Sequence, residues 1–442
     1  MPALESFSRN FQALAAAPGA PDWLSPLRAS AMGAFLAAGL PTTKHEDWRY
    51  TSLTAIAGTD FSEPAAADPD EAALASLRAA DLAELDGLDG PVLVFVNGRF
   101  SPGLSSPGSL PAGVRVSSMA SQLASRPAIL ESSLAATAGA AAPFALLNTA
   151  LFTDGALIEL PAETELQGAI QLVHITVPGP TPHAAHVRNI FSLGAGCRAT
   201  ILESWVGTGP RSYLSNAVTD VRLAPRSALH HYRVQCEGDG AFHLSDVRVD
   251  QAAESRYVSW SVSLGGALVR NDISALLAAS HAECVLNGLY LATDRQHVDN
   301  HTFIDHAQPH CRSSETYKGV LDRAARGVFN GKVLVRPGAQ KTDASQSNRN
   351  LLLTREAEVD TRPQLEIYAD DVKCTHGAAV GQLDEDALFY LRARGIPADV
   401  ARNMLTYAFA SDVLDGLALP PVKRRLQGLV RRWLDKSQER RG

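Results

Sequence analysis

The sequence predicts a mainly β protein, a β-solenoid core set between an N-terminal and a C-terminal helical region. Three observations carry this expectation. From Gly155 to about Leu353 there is no long amphipathic helix, only short segments rich in Val, Ile, Leu, Thr and Tyr, broken by small and turn residues. Small-polar corners recur through that stretch: GAGCRATI from Gly194, APRSALHHY from Ala224, QAAESRYVS from Gln251, AASHAECVL from Ala278, HAQPHCRSS from His306 and RPGAQKTDA from Arg336, at intervals of roughly 27 to 31 residues. Helical periodicity returns on either side. A coil of this length cannot bury its own apolar face, so neighbours stack, and small corner residues let the chain turn sharply. A large β-sandwich with similar turn spacing is the alternative.

Residues 1–150 read as mainly helical with a small strand pair. Phe7, Phe11 and Leu14 recur at helical spacing, and Pro21 to Gly39 forms a second candidate helix. The apolar run VLVFV ends at Asn97-Gly98, a hairpin-type turn, and a Ser, Pro and Gly-rich loop leads to VRVSS. An Ala and Gly-rich helical stretch around 130 to 150 precedes a turn at Thr153-Asp154-Gly155, and residues 151–378 are the solenoid.

Residues 379–442 are helical again. Asp384 caps a helix that stops at Gly395, and Pro397 opens another that runs to about Asp415. On that second helix Val400, Met404, Tyr407 and Leu414 fall on one side and Leu405, Phe409 and Val413 on the other, so two apolar stripes need two covers. The covers are either both from this chain, or one is another protein. A last helix, from Val422 to about Lys436, has one stripe of Val422, Leu426, Leu429 and Trp433, with Arg424, Arg425, Arg431 and Arg432 off it.

The 442 residues are 45% hydrophobic and 20% charged, an ordinary globular composition, and no 18-residue apolar run suggests a membrane span. Net charge is −7, but the stretch from Pro421 carries +6, leaving an acidic body that argues against nucleic acid as a partner. Five scattered cysteines without a CxxC pair fit neither a disulfide framework nor a zinc knuckle, and the N-terminus lacks a secretory h-region. A cytoplasmic protein is expected.

Familiar catalytic motifs are missing. Gly327 to Val333 mimics a phosphate loop but has three residues between its glycines where four are needed, and Val333 replaces the magnesium-binding hydroxyl. Metal-capable side chains are densest in RQHVDNHTFIDHAQPHC, with His297, Asp299, His301, Asp305, His306, His310 and Cys311. On an extended strand His297, Asp299 and His301 share a face, whereas the bend at Pro309 works against convergence with the rest. Tyr368-Ala-Asp-Asp-Val-Lys-Cys374-Thr-His376 is sharper: Asp370, Val372, Cys374 and His376 project together if extended, with the Cys and His about 7 Å apart. Thiolate suits iron-sulfur species and zinc, and Lys373 would favour it electrostatically. Two ligands do not complete a four-coordinate site, so a metal here needs donors from elsewhere in the fold or from another chain. The competing reading is a buried Cys and a capping His at the junction to the helices.

At this motif a family resemblance becomes visible. YADDVKCTHGAAVGQLDEDALFYLRARGIP resembles the SufB/SufD family of the Suf iron-sulfur cluster assembly system, and specifically its SufD branch. The segment from Glu315 to Asp371, the N-terminal LPTTKHEDWRYTSL and the central FALLNTALFTDGALIELP resemble it too, and no cysteine precedes Cys197, unlike the cluster-forming branch. The resemblance implies a right-handed parallel β-helix and a noncatalytic scaffold. It implies two partners: the paralogue SufB and the ABC-type ATPase SufC, which docks on the C-terminal helices and would account for the missing phosphate loop. Val400, Met404, Leu405, Phe409 and Val413 are the candidate docking residues. His376, and less directly Cys374, become candidate interface ligands for iron or a nascent cluster, held transiently and shared with the partner. Rival readings are a metalloenzyme using the His297 to Cys311 group and a purely structural adaptor. Whether the isolated chain forms a homodimer, and whether a reduced flavin belongs to the complex, are not written in the residues.

Overall fold

In the computed structural model, which describes residues 1–64, 74, 88–135, 142–207 and 209–439, the chain winds into a parallel β-solenoid. The helical expectations for 65–73, 75–87 and 136–141 lie outside the described residues. Strands alternate between two sheets. One carries Ile170–Thr176, Arg198–Gly207, Ala228–Cys236, Arg256–Leu264, Glu283–Ala292, Arg312–Leu321, Asp343–Leu352 and Lys373–Gly381. The other carries Ala156–Leu160, Ala184–Leu193, Tyr213–Leu223, Ala241–Gln251, Leu268–Leu277, His297–His306, Arg326–Val335 and Glu358–Ile367. Each strand except the last of its sheet pairs in parallel with the one a coil further on. Gly327 to Val333, which mimicked a phosphate loop, is straight strand.

VLVFV and VRVSS do not pair with each other. Val92–Val96 extends the first sheet in parallel with Ile170–Thr176 and forms a hairpin with Arg99–Phe100, whereas Arg115–Ser118 joins the second sheet antiparallel to Ala156–Leu160. The loop between them is long enough to carry the chain from one sheet to the other.

The recurring corners have one stereochemical cause. Each contains a residue in the left-handed region: Gly196, Arg226, Glu254, His281, His310 and Lys341, all with φ between 59° and 70°. For the non-glycines that conformation costs about 1 kcal/mol or more. It is offset by a hydrogen bond to the next coil, as from Arg226 N to Ala253 O at 2.9 Å and His310 N to Gln340 O at 2.8 Å. The following residue turns inward and must be small: Cys197, Ser227, Ser255, Ala282, Cys311 and Thr342, each at most 1% exposed. Ser227 Oγ donates to Ala224 O at 2.7 Å, and Cys311 Sγ to Ala279 O at 3.3 Å. Cys197 and Cys311 are therefore corner-packing residues.

The lumen between the sheets is filled by Leu172, Ile201, Leu229, Leu286, Phe191, Val221, Val247, Ile273 and Ile304. The helical regions clothe the two outer faces. N-terminal helices Pro2–Ala16 and Leu24–Ala38, with Phe7, Phe35, Trp48 and Phe144, pack on Leu214, Phe242 and Leu268 of the second sheet. C-terminal helix Pro420–Glu439 lays Val422, Leu426, Val430 and Leu434 on Tyr232, Trp260 and Leu289 of the first. Of the expected stripe of this helix Val422, Leu426 and Leu429 are buried and Trp433 is half-buried, but Arg425 departs from the expected basic face: it is 1% exposed and donates to Ser204 Oγ at 2.9 Å. Its guanidinium reaches past the apolar contact to a hydroxyl of the sheet. No helix among the described residues is long and apolar enough to cross a membrane.

Candidate functional site

Strand Lys373–Gly381 closes the last coil and is the terminal strand of its sheet, so one edge pairs with Asp343–Leu352 and the other meets no strand among the described residues. Lys373 N donates to Thr342 O at 2.9 Å. In a parallel ladder alternate residues point N–H and C=O to the same side, so Thr375, Gly377 and Ala379 also face inward. The backbone groups of Cys374, His376, Ala378 and Val380 then lie along the free edge. Ile367, Tyr368 and Val380 are exposed apolar residues at this same end.

Side chains follow the other alternation. Cys374 is the register partner of Ala344 and His376 of Gln346, both buried lumen residues, so the thiol and the imidazole stand one above the other's rung at the mouth of the lumen. Cys374 is half-buried against the core, and His376 is exposed because no further coil covers it. The Cys374 thiol is pushed up by burial and by Asp343, with the Ala344 backbone partly opposing. The expected assistance from Lys373 does not lower the thiol here, because burial disfavours the thiolate. Asp370 does not share the strand face: it sits in the corner before Lys373 and accepts from Gln340 Nε2 at 2.8 Å.

The other metal-capable group is divided four ways. His297, Asp299 and His301 do share a face, and that face is consumed by a clamp on the N-terminal segment. Asp299 accepts from Thr51 Oγ1 at 2.6 Å and Arg270 at 2.8 Å and pairs with His301 at 2.9 Å. Burial would raise its carboxyl, but His301 and Arg270 hold it well below the usual range. His306 points into the lumen against Ser313 Oγ at 2.9 Å, Asp305 pairs with Arg336 at 2.7 Å, and His310 stacks on His281 at the corner. No cluster of three or more His, Cys, Asp or Glu side chains placed to hold a metal occurs among the described residues. Asn300 is buried, and all five cysteines are free thiols.

The C-terminal helices divide the proposed docking residues. Asp384 caps Glu385–Ala393, its Oδ1 accepting from Asp386 N at 2.9 Å. On the next helix, Ala398–Ser411, Val400 and Met404 are 43% and 47% exposed. Leu405 and Phe409 are half-buried, and Val413, in the turn that follows, belongs to the chain's own core beside Leu414 and Val422. One stripe is covered internally, so Val413 is not available to a partner. On the neighbouring helix Phe389 at 73% and Tyr390 at 56% are also exposed, and sequence periodicity did not single them out.

Two lumen residues next to the thiol and imidazole were also missed, although the coil period reaches them. Counting back 30 residues from His376 gives Gln346, and 31 more gives Glu315. Glu315 is buried beneath Gln346, which donates to it through Nε2. Burial pushes the Glu315 carboxyl up to about 7, opposed by hydrogen bonds from Thr302 and Gln346.

By fold and site this is a β-solenoid protein whose last strand, with one edge unpaired among the described residues, bears a thiol and an imidazole. Comparison with known proteins places it more narrowly. Residues 175–409 match the SufBD core domain of the SUF system for FeS cluster assembly, and residues 5–172 match the SufBD N-terminal region. The chain is 32% identical to the iron-sulfur cluster assembly protein SufD of Escherichia coli over 91% of both chains. It is 33% identical to an iron-sulfur cluster assembly SufBD family protein of Synechocystis over 93% of this chain and 89% of that one. It is 25% identical to SufD of Bacillus subtilis over 65% of each. The chain belongs to the SufBD family of iron-sulfur cluster assembly proteins and is a homologue of SufD.

Proposed function

We propose that this chain is a noncatalytic scaffold subunit that pairs with the paralogue SufB, docks the ATPase SufC, and lends donor groups to iron or a nascent cluster carried between the two solenoids. The observation that carries the reading is the coincidence, on one strand, of a free hydrogen-bonding edge with a thiol and an imidazole. A strand added to that edge would lie about 4.8 Å from Lys373–Gly381, which brings its own side chains within reach of the Cys374 and His376 rungs. Iron is the cargo of this site, and imidazole and thiolate are both donors it accepts. Two donors from this chain and the remainder from the partner would make loading depend on assembly. The raised Cys374 thiol fits the same logic, since a metal ion is what would favour its deprotonation. His376 is therefore the principal ligand and Cys374 the second.

The ATPase surface is assigned to Phe389, Tyr390, Val400 and Met404, exposed apolar side chains on two adjacent helices. Nucleotide hydrolysis belongs to the docked subunit, whose cycle would shift the two solenoids and open the shared site. The test is anaerobic reconstitution of the three-subunit complex with His376→Ala. Complex formation is expected to persist while bound iron and sulfide fall; unchanged loading removes the ligand role and leaves a structural adaptor.

A further inference from the structure

Gln346 is 3% exposed, and its side chain is constrained on three sides. Below it, Nε2 donates to Glu315. Beside it, on the facing strand of the other sheet, stands Gly331, where a Cβ would come within 2.2 Å of Gln346 Nε2, so only glycine leaves room for this side chain as placed. Above it, one rung on, is His376. Gln346 Oε1 is buried and has no hydrogen-bond partner, and a buried acceptor left unmet is destabilising.

The orientation of the amide follows from its lower partner. Above about pH 7 the Glu315 carboxylate only accepts, so Gln346 must turn its NH2 downward and its oxygen toward the lumen mouth. The register partner of Gln346 on the terminal strand is His376, whose imidazole can supply a proton. We propose that Gln346 is a positioning residue for His376: its Oε1 accepts one ring N–H and so leaves the other ring nitrogen with its lone pair toward the free edge. This rests on the reading of His376 as a ligand, because a neutral imidazole locked in one tautomer is the form that binds metal.

The consequence is visible without metal. Long-range proton–nitrogen spectra of the full chain labelled with 15N-histidine, near pH 8, resolve the two tautomers, and the His376 signals are those lost in His376→Ala. The wild type is expected to show about a tenfold excess of one tautomer, the ratio a single buried hydrogen bond sustains. Gln346→Met, which keeps the bulk and removes the acceptor, should bring the ratio near unity. Gly331→Ala, which displaces the amide, should do the same and serves if Gln346→Met does not fold. A wild-type imidazole already averaged between tautomers, or one unchanged by either substitution, overturns the inference even if His376→Ala abolishes iron loading. A tautomer that responds as stated, in a chain whose His376→Ala variant loads normally, removes the ligand role and leaves the positioning contact standing.

Discussion

The guanidinium carbon of Arg270 lies 3.8 Å from the ring centroid of Trp48, joining the second sheet of the solenoid to a segment more than two hundred residues earlier. The same guanidinium donates to Asp47 O, to both oxygens of Asp272 and to Asp299. Removing it strips the buried Asp299 carboxylate of its guanidinium partner and leaves it with Thr51 and His301. Arg270→Ala is expected to cost about 3–5 kcal/mol in urea unfolding. Arg362→Ala, which breaks the exposed pair with Glu46, is expected to cost less than about 1 kcal/mol. Equal effects would mean that the clamp contributes no more than a surface ion pair.

The free edge can be tested without touching the candidate ligands. Ala378 points its N–H away from the solenoid, so Ala378→Pro removes an outward donor while sparing the inner ladder. The variant should fold and melt like the wild type, yet co-purify with its paralogue at least about tenfold less well. Full retention of the complex would place the interface elsewhere.

Glu315 sets a pH dependence opposite to that of an ordinary paired carboxylate. Its folded value, about 7, lies above the unfolded one, so the folded state binds its proton more tightly. Its contribution is fully present below the unfolded value and is lost as pH rises toward 7. Glu315→Gln should accordingly stabilise the chain by about 1–3 kcal/mol near pH 8 and by little near pH 4.5. Urea midpoints at the two values decide the matter.

Four buried histidines act in the reverse sense. Burial lowers His174, His183 and His306 to about 4 and His186 to about 3. With an unfolded value near 6.5, each contributes stability that is present at neutral pH and lost as pH falls. Between pH 7 and 5 the chain should lose about 2 kcal/mol per such histidine. His186→Gln, which keeps an acceptor for Asn216 Nδ2, should flatten the profile by one proton's worth; an unchanged slope would show that His186 titrates normally.

Much of the site was legible because a solenoid is periodic. Cys374 and His376 follow strand alternation, and the same spacing would have led to Gln346 and Glu315 had it been carried backward from His376. The fate of His297, Asp299 and His301 was not legible, because the partners that occupy them, Thr51 and Arg270, are distant in the chain. Val413 is a similar case. Its stripe on the helix was correctly periodic, but periodicity does not say which stripe meets the chain's own sheet.

The order of residues alone determined the coil, because a left-handed residue followed by a small inward one is a local demand met at six successive corners from Gly196 to Lys341, and it marked the terminal strand that carries Cys374 and His376. Tertiary structure decided what those side chains face. Where a coil ends, which sheet face receives which helix, and whether a polar group meets water, an ion or a neighbour depend on contacts between segments remote in sequence, and such contacts leave no periodic trace.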